Sequence, residues 1–405
     1  MKIVVISQQY SQGMGYIENK LPEFLAALGS EVHLVTTNVR ANPLVPGLDD
    51  WEGSKVFPRK SPLLFKNGVA IHCLPVRRVL RLPRLISLRS LLQQLRPDVV
   101  QTHDMAGWTT LDPARWQREL GYCLFGGAHR TMSVFPRADL LPWLSWPGIK
   151  GRLSRLLYLR LPSQYGSRYM EKCYAATSDC AIVAERFLGV PKSKIELLPL
   201  GVDTDLFHPI NNGEERRICA DLRQRLGLHP DEVVCLYTGK FTSEKNPLLL
   251  AQAVARLQGE GLPFRGFFVG AGEQKEAIAA CSGCITVPFQ PHCELGAFYR
   301  CSDIGVWPTQ ESMSMLDAAA CGLPIVVNHT VQATERFEGN GLTYQLNNLE
   351  DLVAALRRLQ AKPLRESLGR NGADKVRRCF SWSANAAHRL RDYEQAIARQ
   401  ESVVS

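Results

Sequence analysis

Long apolar runs are missing from this sequence. Nowhere does it offer the roughly 20 predominantly apolar residues that a membrane-spanning helix needs, which argues against an integral membrane protein. The opening Met1-Lys-Ile-Val-Val-Ile-Ser is too short an apolar stretch, with no small-residue cleavage site after it, to read as a secretory signal. A disulfide framework is absent as well. The 12 cysteines are scattered, several (Cys123, Cys180, Cys235) inside apolar runs, which suits reduced thiols and a cytoplasmic setting. Cys281-Ser-Gly-Cys284 with His292, Cys293 and Cys301 looks like half of a zinc site, but its second half falls in predicted strand and helix, so no metal is expected. Gly270-Ala-Gly272 lacks the third glycine and the following acid of a nicotinamide fingerprint, which leaves an oxidoreductase as a distant reading. Acids are scarce between residues 51 and 172, where 7 face 20 lysines and arginines; elsewhere 32 face 28. One part of the chain therefore faces an anionic surface, and no nucleic-acid partner is expected.

What is present is ordinary globular material. With 45% apolar and 21% charged residues, 405 residues suffice for two or three domains. Lys2 to Ile6 reads as a buried strand, followed by a loop carrying Gly13 and Gly15, a helix over 16–28 and a second strand from Glu31. This opens a Rossmann-like half, with the two glycines either approaching phosphates or making a plain turn. Leu85, Leu88, Leu92 and Leu95 repeat at helical spacing. His103 ends one predicted strand, and His129 ends the next, after Gly126-Gly127, which places both at the ligand edge of the sheet. Ser178–Arg186 reads as strand and then helix start. Residues 137–172 mix Trp143, Trp146, leucines and arginines: an amphipathic segment for an anionic membrane surface, or a helical hairpin packed on its own domain.

The second half holds the chemistry. Val233–Thr238, Gly239, Lys240, a five-residue step, Lys245 and a helix from 248 place two ammonium groups where they can converge on one pyrophosphate. Asp303 to Val327 reads strand, loop, helix, strand, a parallel crossover whose loop lies at the carboxyl ends of the strands. Glu311 sits at the mouth of that loop, Asp317 inside a helix predicted over 312–321, and Ser312 and Ser314 at its start. The start of that helix is a site for an anion.

These residues resemble the retaining glycosyltransferases of family 4. Asp317-Ala-Ala-Ala-Cys-Gly-Leu-Pro matches the tail of the family's donor-site pattern, and Gly201-Val-Asp203 with Phe207 and Pro209 resembles its hinge. The head departs: five residues separate Glu311 from Asp317 instead of seven, and the second acid is Asp. A two-residue deletion turns a helical position by roughly 200°, so Thr309 or Gln310 takes over from Glu311 unless the loop absorbs the loss.

The resemblance implies an α/β GT-B fold of two Rossmann-like, doubly wound parallel-sheet domains facing a cleft. An acceptor domain would span 1–205, a donor domain 206–380, and a terminal helix 381–405 would cross back to the first. It further implies transfer of a sugar from a nucleoside-diphosphate-sugar, with retention and without a metal or other cofactor. Lys240 and Lys245 would hold the diphosphate, Glu311 and His129 the sugar, and Asp317 the ribose. Gly13, Gly15, Gly239, Gly270, Gly272, Phe289, Ser312, Ser314 and Met315 would complete the donor site. The basic segment adds the expectation of a glycan or lipid-linked acceptor in envelope lipopolysaccharide or polysaccharide synthesis, and of a cytoplasmic protein peripheral to the inner membrane face. The alternative is a degenerate transferase kept as a membrane- or partner-binding protein.

Overall fold

The computed structural model describes residues 1–10, 14–37, 63–79, 82–132, 153, 155–309 and 311–404. Gly13, Gln310 and all of 137–152, Trp143 and Trp146 included, therefore lie outside the described residues. The chain forms two compact units. The first contains β1 (Lys2–Ile6), β2 (Glu31–Thr37), β3 (Leu63–Lys66), β4 (Val69–Leu74), β5 (Val76–Val79), β6 (Leu82–Leu85), β7 (Val99–Thr102), β8 (Cys123–Ala128), β9 (Met170–Ala175) and β10 (Ile195–Leu197). Its sheet runs β10-β9-β8-β7-β1-β2-β4-β3. All neighbours are parallel except β3 and β4, which form a hairpin. Asn67-Gly68, both with positive φ, turns that hairpin, the pair a two-residue primed turn favours.

Alternation along the strands splits the apolar residues between two faces. Val4, Ile6, Val100 and Leu124 join one core; Ile3, Val5, Val99, Cys123, Phe125 and Tyr174 join the other. Both faces are covered, as a parallel sheet requires. The second core is closed by the helix Ile17–Ala27 and by the C-terminal helix Trp382–Val404, through Leu21, Leu25, Trp382, Ala386 and Tyr393. Asp392 of that helix accepts from Lys172 Nζ (2.8 Å) and the Tyr174 hydroxyl (2.8 Å). Glu196, His388 and Asp392 converge like metal ligands, but Lys172 already bridges Glu196 and Asp392.

The second unit contains β11 (Val233–Lys240), β12 (Phe264–Ala271), β13 (Cys284–Val287), β14 (Ile304–Trp307), β15 (Ile325–Asn328) and β16 (Gly341–Tyr344) in the order β13-β12-β11-β14-β15-β16, all parallel. This is the doubly wound order, and its direction reverses between β11 and β14.

Several expectations need correction. The unit boundary falls at Leu200/Gly201, where the expectation put it after 205: Val202 pairs with Ser381 and its N–H donates to the Phe380 carbonyl (2.6 Å), inside the core of the second unit. Leu85 ends a strand, and the helix begins only at Leu88, since Ser87 takes a left-handed conformation between them. Ser178–Ile182 is helical from its start, with Thr177 capping it by accepting from the Cys180 N–H; the strand lies earlier, at Met170–Ala175.

The C-terminal helix is thus part of the first unit's interior. Tyr393 is fully buried, its ring edge-on to Phe125 at 4.6 Å and its hydroxyl donating to Gln101 Oε1. Tyr393→Ala should cost about 3–5 kcal/mol in urea denaturation.

Candidate functional site

In doubly wound sheets the strand ends at the reversal point form a crevice, and here β11 and β14 flank it. β11 and β12 stay in register to their last residues, pairing Gly239 with Gly270 and Lys240 with Ala271. Only glycine permits this. A β-carbon on Gly270 would lie 1.9 Å from the Gly239 carbonyl oxygen, and one on Gly272 would lie 2.5 Å from that of Phe241. The φ values of Gly239, Gly270 and Gly272, +148°, +154° and +151°, are ones that other residues rarely adopt. Phe241 N–H donates to the Ala271 carbonyl (2.8 Å), Gln274 N–H to the Phe241 carbonyl (3.0 Å) and Ser243 N–H to Glu273 Oε1 (2.9 Å), so the two turns are stitched together. The Tyr237 hydroxyl donates to the Lys240 carbonyl (2.8 Å) from beneath.

Asn246, at positive φ, reverses the chain before Pro247 begins the helix Pro247–Gly259, and Lys245 is held just ahead of it. Its Nζ donates to the Glu311 carbonyl at 3.4 Å, across from β11 to the loop after β14. Burial draws the Lys245 ammonium below its ordinary pKa; Lys240 adds to the effect and the Glu311 carboxylate opposes it. Lys240, Lys245 and Glu311 therefore share one neighbourhood at the reversal point.

The helix after Glu311 is shorter than expected, Ser314–Ala320. Ser312 and Met313 precede it because Ser312 Oγ accepts from the Ser314 N–H and i→i+3 bonds (Met315 to Ser312, Leu316 to Met313) tighten the entry. Met315 is fully buried, its N–H donating to the Ser312 carbonyl and its sulfur accepting from the Ser312 N–H (3.4 Å). The loop is pinned from behind by Asn328, whose amide donates to the carbonyls of Thr309 (2.7 Å) and Pro308 (3.0 Å), and by Arg336, which donates to that of Ser312 (3.3 Å). Thr309 Oγ1 is buried without a partner among the described residues. Asp317 is buried in the first turn of the helix, with Oδ2 3.2 Å from His292 Nε2. Phe207 packs edge-on to that imidazole at 4.7 Å. Phe289 is half-buried in the loop after β13. Asn328 and Arg336 are not singled out from sequence, because each acts through a contact distant along the chain; Tyr237 reads only as a strand residue, and His292 stands out only within the zinc-like cysteine pattern, not as a partner of Asp317.

In the first unit the strand order reverses at β1 and β7, and Gly15, His103 and His129 follow β1, β7 and β8. Gly127 makes room for His129: a β-carbon there would sit 2.7 Å from Nε2. The His103 and His129 rings lie edge to face at 6.2 Å, and all four ring nitrogens are buried without a partner among the described residues. Burial, with a contribution from Arg389, brings His129 down to about 4; burial also pushes His103 well below its usual value. Asp104 beside them is paired with Arg130 at 2.6 Å.

Two family models match this chain. Residues 20–206 match "Glycosyltransferase Family 4" and residues 232–362 match "Glycosyl transferases group 1". The chain belongs to glycosyltransferase family 4. Among relatives of this glycosyltransferase, the GDP-mannose-dependent alpha-(1-6)-phosphatidylinositol dimannoside mannosyltransferase of Mycobacterium tuberculosis is 24% identical, over 96% of this chain and 95% of its own. A D-inositol 3-phosphate glycosyltransferase of Geodermatophilus obscurus is 31% identical, over 58% and 55%. Among solved structures, the sucrose-phosphate synthase of Thermosynechococcus elongatus superposes with a TM-score of 0.70 at 18% identity, covering 98% of this chain and 100% of that one. HepE of Anabaena in complex with UDP gives 0.71 at 12%, with the same coverage. The fold is GT-B, two Rossmann-like α/β domains.

The glycine contacts and the buried imidazoles both have measurable consequences. Gly270→Ala should destabilise the fold by more than about 2 kcal/mol in urea, while Gly259→Ala, at an open helical position, should be neutral or slightly stabilising. For His129 the folded value lies below the unfolded 6.5, so between pH 6.5 and about 4 the unfolded chain binds the extra proton and stability falls as pH falls. His129→Asn should flatten that slope in denaturation curves taken across the same window.

Proposed function

We propose that this glycosyltransferase moves a sugar from a nucleoside-diphosphate-sugar to a hydroxyl of an anionic, lipid-linked or glycan acceptor, with retention of anomeric configuration, in the building of an envelope glycan. One observation carries the reading: Lys245 reaches the Glu311 carbonyl across the reversal point of the second sheet, with Lys240 beside it. Two cations at the closed ends of glycine turns suit a diphosphate leaving group, whose charge grows as the glycosidic bond breaks. In this scheme Lys240 and Lys245 neutralise the diphosphate and no metal is called on. Glu311 contacts the sugar, and Asp317, oriented by His292, accepts from the ribose hydroxyls. His129, kept neutral by burial, bonds a sugar hydroxyl. The glycines at 239, 270 and 272 let the backbone approach the phosphates, and Phe289 lies beside the base.

The relatives support this class of reaction. One is named as GDP-mannose-dependent, and HepE was crystallised with UDP, so the base is left to experiment. Their names carry a phosphatidylinositol and an inositol 3-phosphate, both anionic, which favours an acidic acceptor here. Among the described residues no helix is long and apolar enough to cross a membrane, so a lipid-linked acceptor would be met at the bilayer surface.

Thermal denaturation with UDP, GDP and ADP in turn tests the donor site. One of them should raise the melting temperature, and Lys245→Ala should abolish the rise. No response to any of the three would overturn the donor reading.

A further inference from the structure

The helical run Leu156–Arg160 and Leu161–Tyr169 is turned the wrong way round for a solvated helix. Leu153, Leu156, Leu157 and Leu161 are 53%, 37%, 47% and 46% exposed. Their spacing of three, one and four residues puts them on one face. Arg155, by contrast, points inward: it is 7% exposed, and its guanidinium lies 4.9 Å from the centre of the Phe187 ring. Ser163, Gly166 and Ser167 are buried on the inner side as well. A water-facing helix does the reverse, keeping leucine inside and arginine outside.

Cations surround this leucine ridge. Arg160 is anchored on the carbonyls of Arg186 and Phe187, and Arg168 and Arg186 are exposed. On the adjoining helix Trp108–Leu120, Arg115 and Arg118 are exposed, Arg118 lying over the Tyr169 ring at 5.4 Å. Of the nearby acids, Glu119 and Glu171 are paired with Arg89 and Arg399, and Glu185 is exposed beside Arg186. Exposed leucines beside the exposed cations Arg115, Arg118 and Arg168 fit the boundary between the acyl chains and head groups of an anionic bilayer. A second copy of the chain fits poorly, since pairing this face with itself would bring arginine against arginine.

We propose that the Leu153–Leu161 ridge, with Arg115, Arg118, Arg168 and Arg186 around it, is the surface by which this glycosyltransferase docks on an anionic lipid bilayer. The docking deepens the proposed function and rests on it for its purpose, bringing the first unit to a lipid-linked acceptor. Binding to lipid is itself independent of turnover.

Co-sedimentation of the full chain with vesicles, either phosphatidylcholine alone or mixed with phosphatidylglycerol, tests it. The protein should pellet with the mixed vesicles and far less with phosphatidylcholine. Leu157→Ser with Leu161→Ser, both at exposed positions, should weaken binding about tenfold or more. Arg115→Gln with Arg118→Gln should weaken binding to the mixed vesicles and remove much of its salt sensitivity. A wild-type protein left in the supernatant, or a leucine variant that binds as well as wild type, overturns the inference. So does a dimer in sedimentation velocity that the leucine variant dissolves, since the ridge would then face a second copy. The nucleotide response of the same samples separates the two readings: a melting shift without vesicle binding removes only the docking surface, and vesicle binding without a shift removes only the donor site.

Discussion

The Gly239 carbonyl oxygen occupies the space that a methyl group on residue 270 would need, and the second unit's site depends on that contact. Because no β-carbon intervenes, β11 and β12 remain paired to Lys240 and Ala271. The turn from Phe241 to Lys245 then folds back over the Gly270–Gly272 turn, sharing its backbone hydrogen bonds. Lys245 is delivered to the loop after β14 as a result. The same two turns leave little room for any side chain at the strand ends, which is what close approach of backbone to a ligand requires.

The first unit handles charge differently. Arg389 is fully buried, and its side-chain hydrogen bonds to Asn385 and Gln101 end on amide oxygens instead of carboxylates. It is held by Asn385 Oδ1 (2.9 Å), by Gln101 Oε1 (3.3 Å) and by the face of Tyr174 at 4.1 Å. A buried cation costs free energy that neutral acceptors and a ring face only partly offset. It sits on the strand face that also carries Gln101, two residues before His103, and it adds to the effect of burial in keeping both imidazoles neutral. The C-terminal helix thereby takes part in the electrostatics of a site formed by residues far earlier in the chain.

Much of this was legible beforehand, and the failures have physical causes. Apolar strands ending in Gly-Lys, His-Asp or Gly-Gly-Ala-His show where a parallel sheet turns toward a ligand, so Lys240, Lys245, His103 and His129 could be picked out by position. Leu85, the last residue of a strand, reads as the first of a helical stripe because Leu85, Leu88, Leu92 and Leu95 keep helical spacing across a break that only the left-handed Ser87 reveals. The helix over 314–320 reads two residues too early at its start because serine at 312 looks like a helix start, whereas its hydroxyl is spent on the Ser314 N–H. The pairing of His292 with Asp317, and of Asn328 with Thr309, is not written locally. Both bonds join residues about twenty or more positions apart, and the cysteine pattern around His292 points to a different chemistry.

The linear order of residues was enough to determine the alternation of strand and helix, the glycine turns, the cation spacing and the family, because each is written in neighbours within a few positions. Tertiary structure alone decided which groups meet. Asp317 faces a histidine, Lys245 a carbonyl and Arg389 a glutamine, while four leucines of a basic helix face solvent with an arginine beneath them. Those pairings come from the packing of both sheet faces, which selects partners by position in space and leaves no trace in local spacing.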